Sequence, residues 1–105
     1  APTAAGGSIP FAPHECIDAL YRMKKQFGEK IYKQYGFIDA FNLTYKTPDG
    51  DNWFETMYLG IDQGPVVIQI ENYQTGLIWD TMKKNKYIIN GLKKAGFSGG
   101  WIDEK

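Results

Sequence analysis

Residues 53–79, WFETMYLGIDQGPVVIQIENYQTGLIW, limit what this chain can fold into more than any other stretch. Ring residues, three carboxylates and several amides are mixed there with an apolar run. That mixture is too polar for a plain core and too aromatic for a solvated helix, and it suits the lining of a polar, water-accessible pocket. Gly64 and Pro65 punctuate the stretch. Proline fits the first turn of a helix, where its missing N–H would have had no partner, so the pattern predicts a helix from Pro65 through Val66, Val67, Ile68 and Ile70. Asp62 then stands just before that helix, where free N–H groups and the positive helix end would hold its carboxylate ionised. Two readings of Asp62 stay open: an N-terminal cap, or a carboxylate at the mouth of a cleft. Poor helix formers at residues 72–76, NYQTG, predict a break before Leu77, Ile78, Trp79 and Met82 resume helical spacing.

The remainder reads as mostly helical. Pro13 opens a helix in which Cys16, Ile17, Leu20, Met23 and Phe27 recur at three- and four-residue spacing, and Gly28 closes it. Residues 29–34 read as a second, short helical piece. Asn85 precedes a last amphipathic helix with Ile88, Ile89, Leu92 and Ala95 inward, closed by Gly96. Residues 1–13, APTAAGGSIPFAP, read as an extended loop, and residues 14–105 as helices and cleft loops. A turn is expected around Pro48, Asp49 and Gly50, and residues 53–59 read as a short strand or extended entry to the cleft. The expected fold class is all-α, with long glycine-rich loops and at most a short β element.

Composition excludes several functions. A chain of 105 residues that is 43% hydrophobic and 15% aromatic is globular, and alone it would bury roughly 65% of the surface its unfolded form exposes. Zero formal net charge and the lack of a basic stripe leave little for nucleic acid or an anionic membrane to bind. Cys16 is the single cysteine, which excludes an internal disulfide and suits a buried apolar residue. His14 is the single histidine, so no paired-His or Cys-His metal spacing exists. Neither a metal nor a cofactor is expected. The apolar runs are too short to span a bilayer, and residues 1–8 lack the regions of a signal peptide.

GGSIPFAP, YGFIDAFN and above all YLGIDQGPVVIQIENYQTGLIW, followed by GLKKAGF, resemble the carboxy-terminal part of the bacterial glycoamylase-like family. That family comprises glycoside hydrolases and includes β-1,2-glucanases. The resemblance implies the last segment of an (α/α)6 toroid acting on β-linked glucan, β-1,2-glucan favoured. It implies as partners an oligo- or polysaccharide and the remaining amino-terminal part of the enzyme, on the same or a separate chain. A periplasmic or secreted location also comes from the resemblance alone. Of the family's pocket carboxylates, only the DQGP aspartate maps here, as Asp62, which is the candidate catalytic residue.

Candidate substrate-binding residues follow from chemistry. Trp53, Tyr58 and Tyr73 can offer flat faces to a sugar ring, and Asn42, Gln63 and Asn72 can make directional hydrogen bonds to hydroxyls. Ordinary packing is the alternative for each ring, and Phe27 and Trp79, at clean helical spacing, read as core. Glu71 cannot pair with Asp62 across one glycosidic bond, because nine residues of continuous helix would separate them by about 13 Å on opposite faces. It reads as structural. Two further functions stay open: a non-catalytic carbohydrate-binding module, and a structural partner chain that completes a two-chain toroid.

Overall fold

Pro2 starts a short helix, α1 (Pro2–Gly7), in the segment whose composition reads as an extended loop. Proline is at home at a helix start, and contact with a distant helix does the rest. A Cβ added to Gly6 would come within 2.9 Å of Val66 Cγ1, so α1 is a packed element rather than a linker. The computed structural model describes residues 1–104. α2 (Pro13–Phe27) ends as expected at Gly28, whose φ of 53° suits a residue without Cβ. Its inward face carries the buried Cys16 and the half-buried Leu20, Met23 and Phe27, whereas Ile17 stays exposed.

The all-α expectation fails in the middle of the chain. The molecule is 55% helical and carries two small antiparallel sheets, four strands together. β1 (Tyr32–Lys33) and β2 (Gly36–Phe37) form a hairpin where residues 29–34 were expected to be helical, leaving only a 3-10 turn over Gly28–Lys30. Ile31 and Ile38 flank the hairpin, both 0% exposed, and the Ile38 N–H donates to the Ile31 carbonyl at 2.8 Å. Burying a side chain of this kind is worth about 1.5–3 kcal/mol, more than a few tenths of helix propensity per residue. The hairpin therefore wins.

The second hairpin joins β3 (Phe41–Lys46) to β4 (Asn52–Phe54). Its tip is the expected turn, closed by the Gly50 N–H donating to the Thr47 carbonyl at 2.9 Å. Phe41 stacks on Phe54 with ring centroids 5.7 Å apart, and Phe27 of α2 adds a third ring at 5.0 and 5.8 Å. Between the pairs Asn42–Trp53 and Lys46–Asn52 the ladder is irregular. There Asn42 Oδ1 accepts from the Thr44 and Tyr45 N–H groups at 2.8 and 2.9 Å, standing in for missing cross-strand acceptors.

α3 (Gly60–Gln74) starts upstream of Pro65, which lies inside it. Winding begins early because the Leu59 carbonyl accepts from the Asp62 and Gln63 N–H groups at 3.0 and 2.9 Å. Asp62 is thus in the first turn and not ahead of it. The break after Asn72 is present as expected: the Thr75 and Gly76 N–H groups close on the Glu71 and Asn72 carbonyls at 2.8 and 3.0 Å, and Gly76 takes a φ of 73°. α4 (Leu77–Met82) follows, and α5 (Lys86–Lys94) is capped by Asn85 Oδ1, which accepts from the Tyr87 N–H at 2.9 Å. Another 3-10 turn, Gly100–Ile102, closes the described chain. No helix among the described residues is long and apolar enough to cross a membrane.

Candidate active site

α1 and the first turns of α3 enclose a cleft of about 420 Å³. Thr3, Asp39, Asp62 and Pro65 are among its walls. Glycine at position 6 lets α1 approach α3 closely, because the stiff, branched Val66 side chain leaves no room for a Cβ. Asp39 comes from the connection between β2 and β3, directly after the buried Ile38. The hydroxyl of buried Thr3 lies 3.1 Å from the Asp39 carbonyl and 3.1 Å from its Oδ1, which holds the Asp39 carboxyl in one orientation.

The neighbours of Asp62 tie the start of α3 to the same hairpin. Gln63 Nε2 donates to the Phe37 carbonyl at 3.0 Å, and the Tyr58 hydroxyl donates to the Gly36 carbonyl at 3.3 Å. Asp39 and Asp62 line the same cleft. The Asp62 carboxyl is raised from its ordinary 3.8, first by partial desolvation, then by the Asp39 charge and by the hydrogen bond between the two. Of the two readings of Asp62, the structure does not show the cap: the helix start carries no side-chain cap hydrogen bond and Asp62 lies inside the first turn, where its surroundings push its carboxyl up rather than down.

Hydrolysis of a glycosidic bond generally takes two carboxyl groups about 5 to 9.5 Å apart. Glu71 does not supply the second, since its Oε1 accepts from the Thr75 hydroxyl at 2.6 Å at the far end of α3. Asp39 and Thr3 are the cleft residues that the sequence reading passed over. Asp39 stands in the YGFIDAFN run, directly after a Phe-Ile pair, but nothing local announces that it meets Thr3 and Asp62.

The other candidates are dispersed. Asn42 and Trp53 face each other on the second hairpin, and Asn72 and Tyr73 lie at the end of α3, away from the cleft. Asn72 is 5% exposed, and its amide is committed: Oδ1 accepts from the Trp79 N–H at 3.0 Å and Nδ2 donates to Gln69 Oε1 at 3.2 Å. Gln63 also lines a second, apolar pocket of about 190 Å³ with Leu20, Tyr32, Tyr35, Phe37 and Val66. Phe27 and Trp79 pack against other rings, Trp79 with Phe11 at 5.8 Å. Among the described residues no group of three or more His, Cys, Asp and Glu side chains is placed to hold a metal ion.

This architecture and cleft place the chain with the glucoamylase-like glycoside hydrolases. The family model Glycoamylase, described as "Putative glucoamylase", matches residues 1–86, and the chain belongs to that family. It is 36% identical over 94 residues to an exo β-1,2-glucooligosaccharide sophorohydrolase of Parabacteroides distasonis, covering 90% of this chain and 12% of that protein. An endo-β-1,2-glucanase from Chitinophaga pinensis, solved with sophorotriose and glucose, superposes with a TM-score of 0.73 at 37% identity over 95% of this chain and 22% of its own. A structure from Bacteroides fragilis, also named a putative glucoamylase, gives 0.68 at 38% identity over 89% of this chain and 20% of its own. The chain thus spans between 12% and 22% of these relatives' lengths, and corresponds to their carboxy-terminal part.

Proposed function

We propose that this chain is the carboxy-terminal portion of a glycoside hydrolase that cleaves β-linked glucan, β-1,2-glucan in the first instance, and that Asp62 is its catalytic carboxylate. The observation that carries the reading is the seating of Asp62 at the α1–α3 cleft, with its carboxyl raised from its ordinary 3.8. Support comes from two relatives whose names place them on β-1,2-linked glucans. The carboxyl on the opposite side of the bond belongs to the amino-terminal remainder of the enzyme, on the same or a separate chain. Trp53, Tyr58 and Tyr73 do not line the α1–α3 cleft, so any stacking on sugar by these rings belongs to a cleft extended by the rest of the enzyme, while Asn42, Gln63 and Asn72 bind backbone groups. The enzyme works in the periplasm or outside the cell, following the family resemblance.

In the complete enzyme, Asp62→Asn keeps the shape of the side chain but removes its exchangeable charge. Turnover of β-1,2-glucooligosaccharides should fall by about a hundredfold or more, with the circular dichroism spectrum unchanged. Wild-type turnover in that folded variant would overturn the assignment. A second reading, a chain whose part is chiefly to complete a larger fold, is favoured by the apolar residues exposed around α3. It predicts that the isolated chain holds no sophorotriose, whereas a self-standing carbohydrate-binding module would.

A further inference from the structure

Thr3 fixes a carboxyl group in the wall of the α1–α3 cleft. Thr3 is buried, and its hydroxyl lies 3.1 Å from Asp39 Oδ1 and 3.1 Å from the Asp39 carbonyl, so Asp39 is held at both its side chain and its backbone. A carboxylate has about four acceptor sites, and one hydroxyl proton fills at most one of them. No lysine or arginine pairs with Asp39 among the described residues, where the ion pairs join Arg22 to Asp18 and Lys83 to Asp80. Ser8, the other hydroxyl of the cleft wall, is spent on the Ala4 carbonyl at 2.8 Å. The cleft thus offers carboxyl oxygens and suits a ligand that brings its own donors. Between the acids the wall is low and apolar, formed by Ala4, Gly7 and Pro65. Such a surface suits the C–H face of a pyranose ring, and about 420 Å³ has room for a hexose.

We propose that Asp39 is a substrate-binding residue, its carboxylate accepting hydrogen bonds from the adjacent C3 and C4 hydroxyls of one glucosyl unit in the α1–α3 cleft, with Thr3 as its positioning residue. This rests on the reading of the complete enzyme as a hydrolase of β-1,2-linked glucan. In such a chain the C2 hydroxyl of every inner unit is consumed by a linkage, so C3 and C4 carry the free adjacent pair. Two neighbouring ring hydroxyls match the two oxygens of one carboxylate. The grip of Thr3 sets the direction of those oxygens before substrate arrives, which lowers the ordering cost of binding. A site built in this way rejects an analogue that lacks the hydroxyl, because the acceptor is then left without a partner.

The test assays the complete enzyme on sophorotriose and on derivatives deoxygenated at C3, C4 or C6 of each glucosyl unit in turn. For one unit, loss of the C3 or C4 hydroxyl should lower the wild-type kcat/KM by about tenfold or more, and Asp39→Ala should lose that discrimination. A merely structural role for Asp39 would slow all of these substrates alike, so the coupling between residue and hydroxyl is the readout. Wild-type discrimination in folded Asp39→Ala overturns the proposal, and so does coupling to a C6 hydroxyl alone. If Asp39→Ala does not fold, the Thr3 variants decide. Thr3→Val should weaken the same discrimination, whereas Thr3→Ser, which keeps the hydroxyl, should retain it; equal profiles in the two overturn the proposal. Asp62→Asn, assayed alongside on sophorotriose, separates the two levels. Full turnover there removes the catalytic assignment and leaves the Asp39 coupling standing, whereas a wild-type enzyme that does not turn over sophorotriose removes both.

Discussion

Asp62 stands where opposing influences meet. Its place in the first turn of α3 favours the anion through the helix dipole. The packed wall of α1 and the Asp39 carboxyl favour the acid, and they win. A carboxyl whose folded pKa is raised stabilises the fold fully below its unfolded value of 3.8, and that stability is lost as pH rises through the folded pKa. The melting temperature of Asp62→Asn relative to the wild-type enzyme should therefore climb from acid toward neutral pH. A difference that shrinks over that interval would reverse the sign assigned to Asp62. The sequence pointed to the residue but not to its protonation. A helix start is a local pattern, whereas the groups that oppose it belong to α1 and to the segment after β2, and tertiary contacts such as Gly6 on Val66 and the Thr3–Asp39 hydrogen bonds bring them together.

The same division separates readable from unreadable elements. α2, the α3–α4 break and α5 were legible because their signals are local: apolar periodicity, Gly28 and Gly76 at positive φ, and Asn85 as a cap. The first hairpin was not, because its turn lacks an Asn-Gly or Asp-Gly pair and its reason to form, the joint burial of Ile31 and Ile38, is tertiary. Asn72 shows how an element boundary can resemble a binding site. An amide among rings and acids reads as a sugar ligand, but here it seals the α3–α4 joint. Asn72→Ala should cost the complete enzyme about 1–3 kcal/mol of stability by leaving the Trp79 N–H unsatisfied, with KM for β-1,2-glucooligosaccharides little changed. Denaturant titration beside Michaelis kinetics checks this. A raised KM at unaltered stability would return Asn72 to the substrate.

At the scale of the whole molecule, the described chain measures 57 × 26 × 22 Å, with a radius of gyration of 17.7 Å. A compact domain of this length would have about 13 Å. The side chains of α3 point to the same openness. Amphipathic α2 and α5 each turn one apolar side inward, but α3 is apolar around much of its circumference: Val66 meets Gly6 while Ile61 is 82% and Val67 69% exposed. A helix of that kind is made to be surrounded by protein on several sides. The relatives, of which this chain spans 12% to 22%, have the additional chain length to surround it. Left alone, the chain would present these side chains to water at about 25 cal/mol for each Å² of apolar surface. The isolated chain should therefore associate, or stay loosely folded with exposed apolar surface, and sedimentation velocity with a calorimetric scan will show which. Co-expression with the amino-terminal remainder of the enzyme should suppress the association by covering α3. A monomeric isolated chain that melts in one cooperative transition would mean that α3 needs no such cover, and would count against the chain being one part of a larger fold.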